Sequence, residues 1–331
     1  MMQISPGRNL GLDLLRVTEA AAAAAGRWIG RGDAIGAHHD ATDAMAEALT
    51  NVEMSGAIVI GEESRHREHS PLDSGEMVGT GDGLEVDVVV DPIDGTKLVV
   101  RGRPGAISLV GVTPRGTMWS PPACAVYMDK IVVDRTAASA LVYECMDAPA
   151  AWTLALVARA KGREVRDLSV VVLDRPRHKD LIEELRAAGA RILLRNEGDA
   201  EGALEAAIDG TGGDILMGIG GVSEGVIAAC AVKALGGSML ARLSPQSDQE
   251  RQSIKDLGVD PDQILDCNEI IRSDDIYFAA TGITTSRLLM PIQYRRGLVE
   301  THSLLLRAIT GTRRFITAEH RLDVLDRKPV I

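Results

Sequence analysis

Val86-Asp87-Val88-Val89-Val90-Asp91-Pro92-Ile93-Asp94-Gly95-Thr96 is the stretch from which the rest of the chain is read. Val86, Val88, Val89 and Val90 are β-branched and apolar, and they predict a mostly buried strand. Asp87 is the one polar residue inside it, and pairing with a neighbouring loop accounts for it. Pro92 has no N–H to give to a ladder, so the strand is expected to end at Asp91-Pro92. Asp91 and Asp94 then flank a turn, and Gly95 and Thr96 follow at once. Two carboxylates so spaced at a strand end can converge on one hard cation. Mg²⁺ or Mn²⁺ takes such oxygen ligands and shares them with substrate phosphates. The Thr96 hydroxyl can hydrogen-bond a metal-bound water and aim it. The bland alternative is an Asp-Pro turn closed by an Asx hydrogen bond.

Working outward, composition narrows the class. A chain of 331 residues suggests two domains or one large one. Aromatic residues are only 3%, so the core must be aliphatic, and base-stacking recognition of nucleic acid is disfavoured. The net charge of −11 argues against a general phosphate-backbone binder. Metals can still neutralise a phosphorylated small molecule locally. Cys124, Cys145, Cys230 and Cys267 form no C-x-x-C pair, which disfavours structural zinc and thioredoxin-type chemistry. Reduced thiols, with no basic-then-apolar leader pattern, point to the cytoplasm. No apolar run reaches the ~18 residues of a membrane span.

Asn9 to Ile29 carries Leu10, Leu14, Val17 and an alanine run, which predicts a closely packed helix broken by Gly30-Arg31-Gly32-Asp33. A second helix is expected from Asp40 to Asn51. Gly56–Ile60, Ala106–Val112 and Lys130–Val133 read as strands, so the first half looks like helices on a mostly antiparallel sheet. After Gly162 the rhythm changes. Ser169–Leu173, Arg191–Leu194, Asp214–Met217 and Ser238–Leu243 read as strands alternating with helices at Lys179–Ala188, Ala200–Ile208 and Glu224–Leu235. That alternation implies a parallel α/β sheet. Asp275–Ala280 adds a strand, and Leu304–Ile309 with Arg314–Thr317 suggests a terminal hairpin around Gly311. The expected class is therefore α/β, with an α+β metal-binding domain at 1–162 and a parallel α/β substrate-binding domain at 163–331.

Several further residues carry chemistry. Glu62 follows a strand end, as Asp91 does, and a surface glutamate is its alternative. Gly218-Ile219-Gly220-Gly221-Val222-Ser223-Glu224-Gly225 is expected between a strand and a helix, where free N–H groups suit phosphate and Glu224 can face a cation. A nucleotide-binding loop is the rival, but G-x-G-x-x-G fails at Ser223 and no Gly-Lys-Ser/Thr follows. Asp174-Arg175-Pro176-Arg177-His178 sits at a strand end, and Arg forks bind phosphate bidentately. Its alternative is a capping cluster; a core tyrosine is the alternative for Tyr127.

Asp91-Pro92-Ile93-Asp94-Gly95-Thr96 resembles the signature of the lithium-sensitive, metal-dependent sugar and inositol phosphatases. The other segments narrow the resemblance to the class II fructose-1,6-bisphosphatases, some of which also take sedoheptulose 1,7-bisphosphate. Gly61-Glu62 is similar to the family's Gly-Glu-Gly-Glu, whose first Glu is a metal ligand. Gly218 to Gly225 is similar to Gly-Ile-Gly-Gly-x-Pro-Glu-Gly, with Ser223 for the Pro and Glu224 as the metal contact. Arg175-Pro176-Arg177-His178 is similar to the segment holding the phosphate that is not cleaved. Glu197-Gly198-Asp199 is similar to an Asp-Gly-Asp that binds sugar hydroxyls, and Tyr127 matches a substrate tyrosine. The likeness runs from Arg16-Val17-Thr18-Glu19 to Ile316.

This resemblance implies a layered α-β-α-β-α fold and hydrolysis of a sugar bisphosphate. Glu62, Asp91, Asp94 and Glu224 would hold Mg²⁺ or Mn²⁺, with Thr96, Asp91 and Glu62 carrying catalysis. Tyr127, Arg175, Arg177, Glu197, Asp199, Gly220 and Gly221 would hold the substrate. It also implies a homo-oligomer, a dimer or tetramer, while composition and charge already disfavour a nucleic-acid or membrane partner. One stretch departs from the pattern. The family reads Gly-Arg-Gly-Asp-Lys, with a ligand Asp five residues after the first. Here Ala34 replaces the Lys and His38 replaces the ligand Asp. His38 is then a ligand better suited to Mn²⁺ than Mg²⁺, or Asp40 takes the role, or one metal position is gone, or His38 and His39 are surface histidines. The runner-up functions are a specialised sugar or cyclitol phosphatase and a non-catalytic sugar-phosphate-binding relative.

Overall fold

The computed structural model describes residues 9–61 and 69–322. The chain divides into two compact units. One joins Met1–Gly116 to Asp275–Ile331, and the other is Thr117–Asp274. The division expected at residue 162 differs from this one. The C-terminal strands return to the N-terminal sheet through long-range pairing, such as Ala280 opposite Leu109, and no local pattern signals such a pairing.

The first unit holds an eight-stranded sheet. Its strands are β1 (Met54–Ile60), β2 (Met77–Val78), β3 (Leu84–Asp94), β4 (Ile107–Pro114), β11 (Tyr277–Gly282), β12 (Gln293–Arg295), β13 (Leu298–Arg307) and β14 (Thr312–Arg321). Their order is β12-β13-β11-β4-β3-β1-β2, with β14 also on β13. Only β1 and β3 run parallel. Helices α1 (Leu10–Gly26) and α2 (Ala34–Thr50) pack on it, and α3 (Thr96–Val100) follows β3. The alanine run of α1 loses no side-chain entropy on ordering, and its short side chains let neighbours come close. Leu14 and Val17 of α1 and Met45 and Leu49 of α2 meet Val88 and Val90 of β3 in one apolar cluster. Leu14 is fully buried, so truncating it to Ala should cost about 2–5 kcal/mol.

Two local expectations change here. The second helix begins at Ala34 rather than Asp40, because Asp33 caps it by accepting the Gly36 N–H at 3.0 Å. And β3 does not stop at Asp91-Pro92. It continues to Asp94, with the register against β4 shifting between Asp91 and Asp94. Pro92 lies within that irregularity, where a missing N–H breaks no ladder bond. Asp87 is buried, with Arg115 Nε 3.6 Å away.

The second unit holds a six-stranded sheet in the order β10-β9-β5-β8-β6-β7. Its strands are β5 (Tyr127–Val133), β6 (Ser169–Leu173), β7 (Arg191–Arg195), β8 (Ile215–Gly221), β9 (Ser238–Leu243) and β10 (Leu265–Asp266). Its helices are α4 (Ala150–Lys161), α5 (Lys179–Ala187), α6 (Asp199–Ala207), α7 (Val222–Ala234), α8 (Asp248–Asp256) and α9 (Cys267–Ile270). The parallel arrangement holds for β7, β6 and β8. β5 is inserted antiparallel between β8 and β9. The strand-helix rhythm gave the β8-α7-β9 crossover but carried no sign of a strand from earlier in the chain entering it. Leu154, Val157, Val170, Val172, Leu185 and Ile215 form one core of this unit.

Candidate functional site

In the first unit the site is built on the end of β3. Asp91 and Asp94 are both only 2% exposed. Asp91 Oδ1 accepts the Ile93 N–H at 3.1 Å, which fixes the carboxylate across the proline irregularity. Gly95 caps α3 in a left-handed conformation, φ 95°, which only glycine adopts at no steric cost. Thr96 is half-buried, and its hydroxyl is 3.4 Å from the Ile93 carbonyl. At that length it is weakly held. The Gly30 and Gly32 N–H groups donate to the Val99 and Val100 carbonyls, at 3.0 Å each. The loop ahead of α2 is thereby tied to α3. Ala37 and Ala41 of α2 pack in one cluster with Ile93 and Val99.

The substituted stretch therefore lies on a helix beside the carboxylate turn. His38 is 5% exposed and faces inward with Ala41 and Thr42, whereas His39 is exposed. His38 is thus not a surface histidine. Asp40 is exposed and accepts the Trp28 indole N–H at 2.7 Å. Glu62 lies outside the described residues. Among the described residues no three His, Cys, Asp or Glu side chains gather as a metal site. The donor set that is present, two buried carboxylates and a hydroxyl, fits a hard cation that keeps waters and shares substrate oxygens.

In the second unit the residues of interest gather at the carboxyl ends of β6, β7 and β8 and the start of β5. Ligands of open α/β sheets bind outside such strand ends. Arg177 donates from Nε and Nη2 to the Ile219 carbonyl, at 3.2 and 2.8 Å, and its guanidinium lies 4.9 Å from the Tyr127 ring centre. Arg175 Nη2 is 3.7 Å from Glu197 Oε1. Asp199 opens α6 after Gly198, whose φ is 84°. Its Oδ2 lies 2.5 Å from Lys130 Nζ.

The glycine segment is not the free loop expected of it. Gly220 and Gly221 pair with Met128 and Tyr127 in the sheet, and α7 begins at Val222, whose N–H donates to the Val126 carbonyl. Each glycine instead makes room for a carboxylate. A Cβ on Gly220 would stand 1.8 Å from Asp199 Oδ2, and one on Gly221 would stand 1.9 Å from Glu224 Oε2. Ser223, where the resemblance has Pro, donates its hydroxyl to Glu224 Oε2 at 2.8 Å.

Two residues beside these were given no role of their own by reasoning from sequence. His178 donates from Nδ1 to the Leu173 carbonyl (2.7 Å) and accepts the Ile219 N–H at Nε2 (2.8 Å). Burial, helped by the Arg177 charge, holds its imidazole below the usual value, against the Leu173 hydrogen bond and the charges of Asp199 and Asp129. Gly218, φ 120°, leaves it space, since a Cβ there would meet Nε2 at 2.9 Å. The second is Lys130, fully buried in β5. A lysine directly before the apolar run Ile131–Val133 was its available signal.

The family model described as bacterial fructose-1,6-bisphosphatase, glpX-encoded, matches residues 8–320. The chain belongs to this bacterial fructose-1,6-bisphosphatase family. It is 37% identical to the D-fructose 1,6-bisphosphatase class 2/sedoheptulose 1,7-bisphosphatase of Synechococcus sp. (strain JA-3-3Ab), covering 95% of this chain and 96% of that protein. It is likewise 37% identical to the fructose-1,6-bisphosphatase class 2 of Haemophilus influenzae, covering 96% of this chain and 98% of the relative. The fructose-1,6-bisphosphatase family consists of phosphoric monoester hydrolases and implies a metal-dependent reaction. Among the described residues no helix is long and apolar enough to cross a membrane.

Proposed function

We propose that this chain hydrolyses a sugar bisphosphate, fructose 1,6-bisphosphate or sedoheptulose 1,7-bisphosphate, to the monophosphate and inorganic phosphate with Mg²⁺ or Mn²⁺. The family match over residues 8–320 carries the reading. The buried carboxylates of Asp91 and Asp94 support it. When bound, the cation supplies a water of lowered pKa and charge for the phosphoryl and leaving oxygens. Asp91 and Asp94 would hold it, with His38 at the position of a family ligand; Glu62 and Glu224 are the remaining metal contacts that the resemblance implies. Thr96 aims the attacking water through a hydroxyl that little else holds. Arg177, fixed by Ile219 and Tyr127, presents its fork to the phosphate that stays, with Arg175 beside Glu197 as its companion. Asp199, Glu197 and the Gly220-Gly221 strand end complete the substrate contacts. A homo-oligomer in the cytoplasm belongs to the same reading.

One observation favours a second reading, a phosphatase specialised for another sugar or cyclitol phosphate, or a relative that only binds one. His38 stands buried where the family pattern has a carboxylate, and Ala34 has lost the lysine charge. Phosphate release should be measured across sugar bisphosphates and monophosphates with each metal in turn. Turnover of the two bisphosphates supports the first reading. Turnover confined to another phosphate, or none, supports the second.

A further inference from the structure

Lys130 sits in the middle of β5 between Asp129 and Ile131 and is completely buried. Among the described residues Asp199 is the one carboxylate at ion-pair distance from its ammonium, 2.5 Å from Oδ2. Three elements meet at that contact. β5 brings the lysine, the first turn of α6 brings the aspartate, and β8 passes so close at Gly220 that a Cβ would stand 1.8 Å from Asp199 Oδ2 and 2.6 Å from Lys130 Nζ. Sequence and backbone are thus committed to one geometry for one carboxylate.

Stability does not explain that commitment. Desolvating two charges costs several kcal/mol per ion, and well-packed apolar residues in place of a buried pair are often neutral or stabilising. What the pair does supply is a carboxylate with a single orientation. Asp199 follows Gly198 at the strand-end side of the unit, in the same turn as Glu197, which pairs with Arg175. A carboxylate held through Oδ2 from beneath keeps its other oxygen as an acceptor for a hydroxyl. An unheld Asp at a helix start would turn towards the backbone N–H groups of its own first turn.

We propose that Lys130 is a positioning residue: it holds the Asp199 carboxylate in the one orientation that accepts a hydroxyl of the bound sugar. This rests on the sugar-phosphatase reading above. Lys130 acts only through Asp199, so its loss should weaken binding of the sugar portion and spare binding of phosphate itself.

The test uses the full chain and two probes, fructose 6-phosphate and inorganic phosphate, with their affinities measured by calorimetry. Lys130→Met should weaken fructose 6-phosphate by about tenfold, the scale of one hydrogen bond to a charged group. It should raise KM more than it lowers kcat and leave inorganic phosphate binding unchanged. On an Asp199→Asn background the same substitution should add nothing. Lys130→Gln, which retains a neutral donor, should fall between wild type and Lys130→Met, and it replaces the methionine variant if that does not fold. Equal weakening of both probes would reduce Lys130 to a structural residue and overturn the proposal, as would unchanged affinity for both. If the wild type binds phosphate but not the sugar phosphate, the sugar-phosphatase reading fails first.

Discussion

His178 and Ile219 are locked together across the strand end: the Ile219 N–H donates to Nε2 of His178 at 2.8 Å. Nδ1 faces the Leu173 carbonyl, which can only accept, so the ring is neutral with its proton on Nδ1. Arg177, the next residue back, donates to the Ile219 carbonyl. Ile219 is therefore held at both its N–H and its carbonyl, and the guanidinium proposed to hold phosphate is aimed by that grip.

A pH dependence follows from this lock. Burial lowers the His178 pKa below its ordinary 6.5, so the unfolded chain takes the proton first. Its contribution to stability is complete above about 6.5 and is lost as pH falls from there through the lowered folded value. Protonation would also set an N–H against the Ile219 N–H. Denaturant midpoints should decline on acidification through this window, and more in wild type than in His178→Gln. His302, whose pKa burial also lowers, acts in the same direction in both proteins. Equal slopes for the two would contradict the assignment.

Arg177→Ala should weaken a bisphosphate more than a monophosphate. Contact with the Tyr127 ring and the Ile219 carbonyl already orders the fork, so little side-chain entropy remains to be lost on binding. The cation–π contact itself is worth about 0.5–1 kcal/mol at an exposed site, a small part of the expected effect. Competition assays with both ligands check this, and equal losses would move Arg177 out of the site for the retained phosphate.

Thr96→Ala should lower kcat by about 10²-fold while leaving KM nearly unchanged, because misplacing an attacking water is felt in the transition state. Its 3.4 Å contact to Ile93 is weak, so the melting temperature should barely move. A rise in KM alone would make Thr96 a substrate-binding residue.

Much of this was legible in the sequence. The run Val86 to Val90 gave a central strand, the alanine run of α1 gave a close-packed helix, and β6 and β9 fall at the expected bounds. What was not legible depended on pairing between distant segments. Pro92 read alone ends β3, yet it falls in a register shift that only the partner strand β4 reveals. Gly218 to Gly221 looked like a phosphate loop because glycine suits both a loop and a strand crowded by side chains. The carboxylates that crowd it, Asp199 and Glu224, are near in space through α6 and α7. Lys130 and His178 could not be assigned before their partners were known.

The substituted stretch gives a prediction by exchange. Ala34 opens α2, and His38 lies one turn later on its buried face. Restoring both family residues, His38→Asp with Ala34→Lys, should raise Mg²⁺-supported bisphosphatase activity by about tenfold or more, the scale on which metal-site neighbours act. Before the exchange, Mn²⁺ should be preferred over Mg²⁺. High activity that is the same before and after would show that these positions do not set the reaction.

The strand-end carboxylates are proposed to hold the cation on which phosphate release depends. The most direct measurement is phosphate release from fructose 1,6-bisphosphate by wild type and Asp91→Asn, with Mg²⁺ or Mn²⁺ saturating and then chelated. Wild type should turn over and stop on chelation. Asp91→Asn should keep its circular dichroism spectrum and lose more than the about 10–100-fold that removal of a mere supporting group costs. Near-normal release by Asp91→Asn in saturating Mn²⁺ would contradict the account.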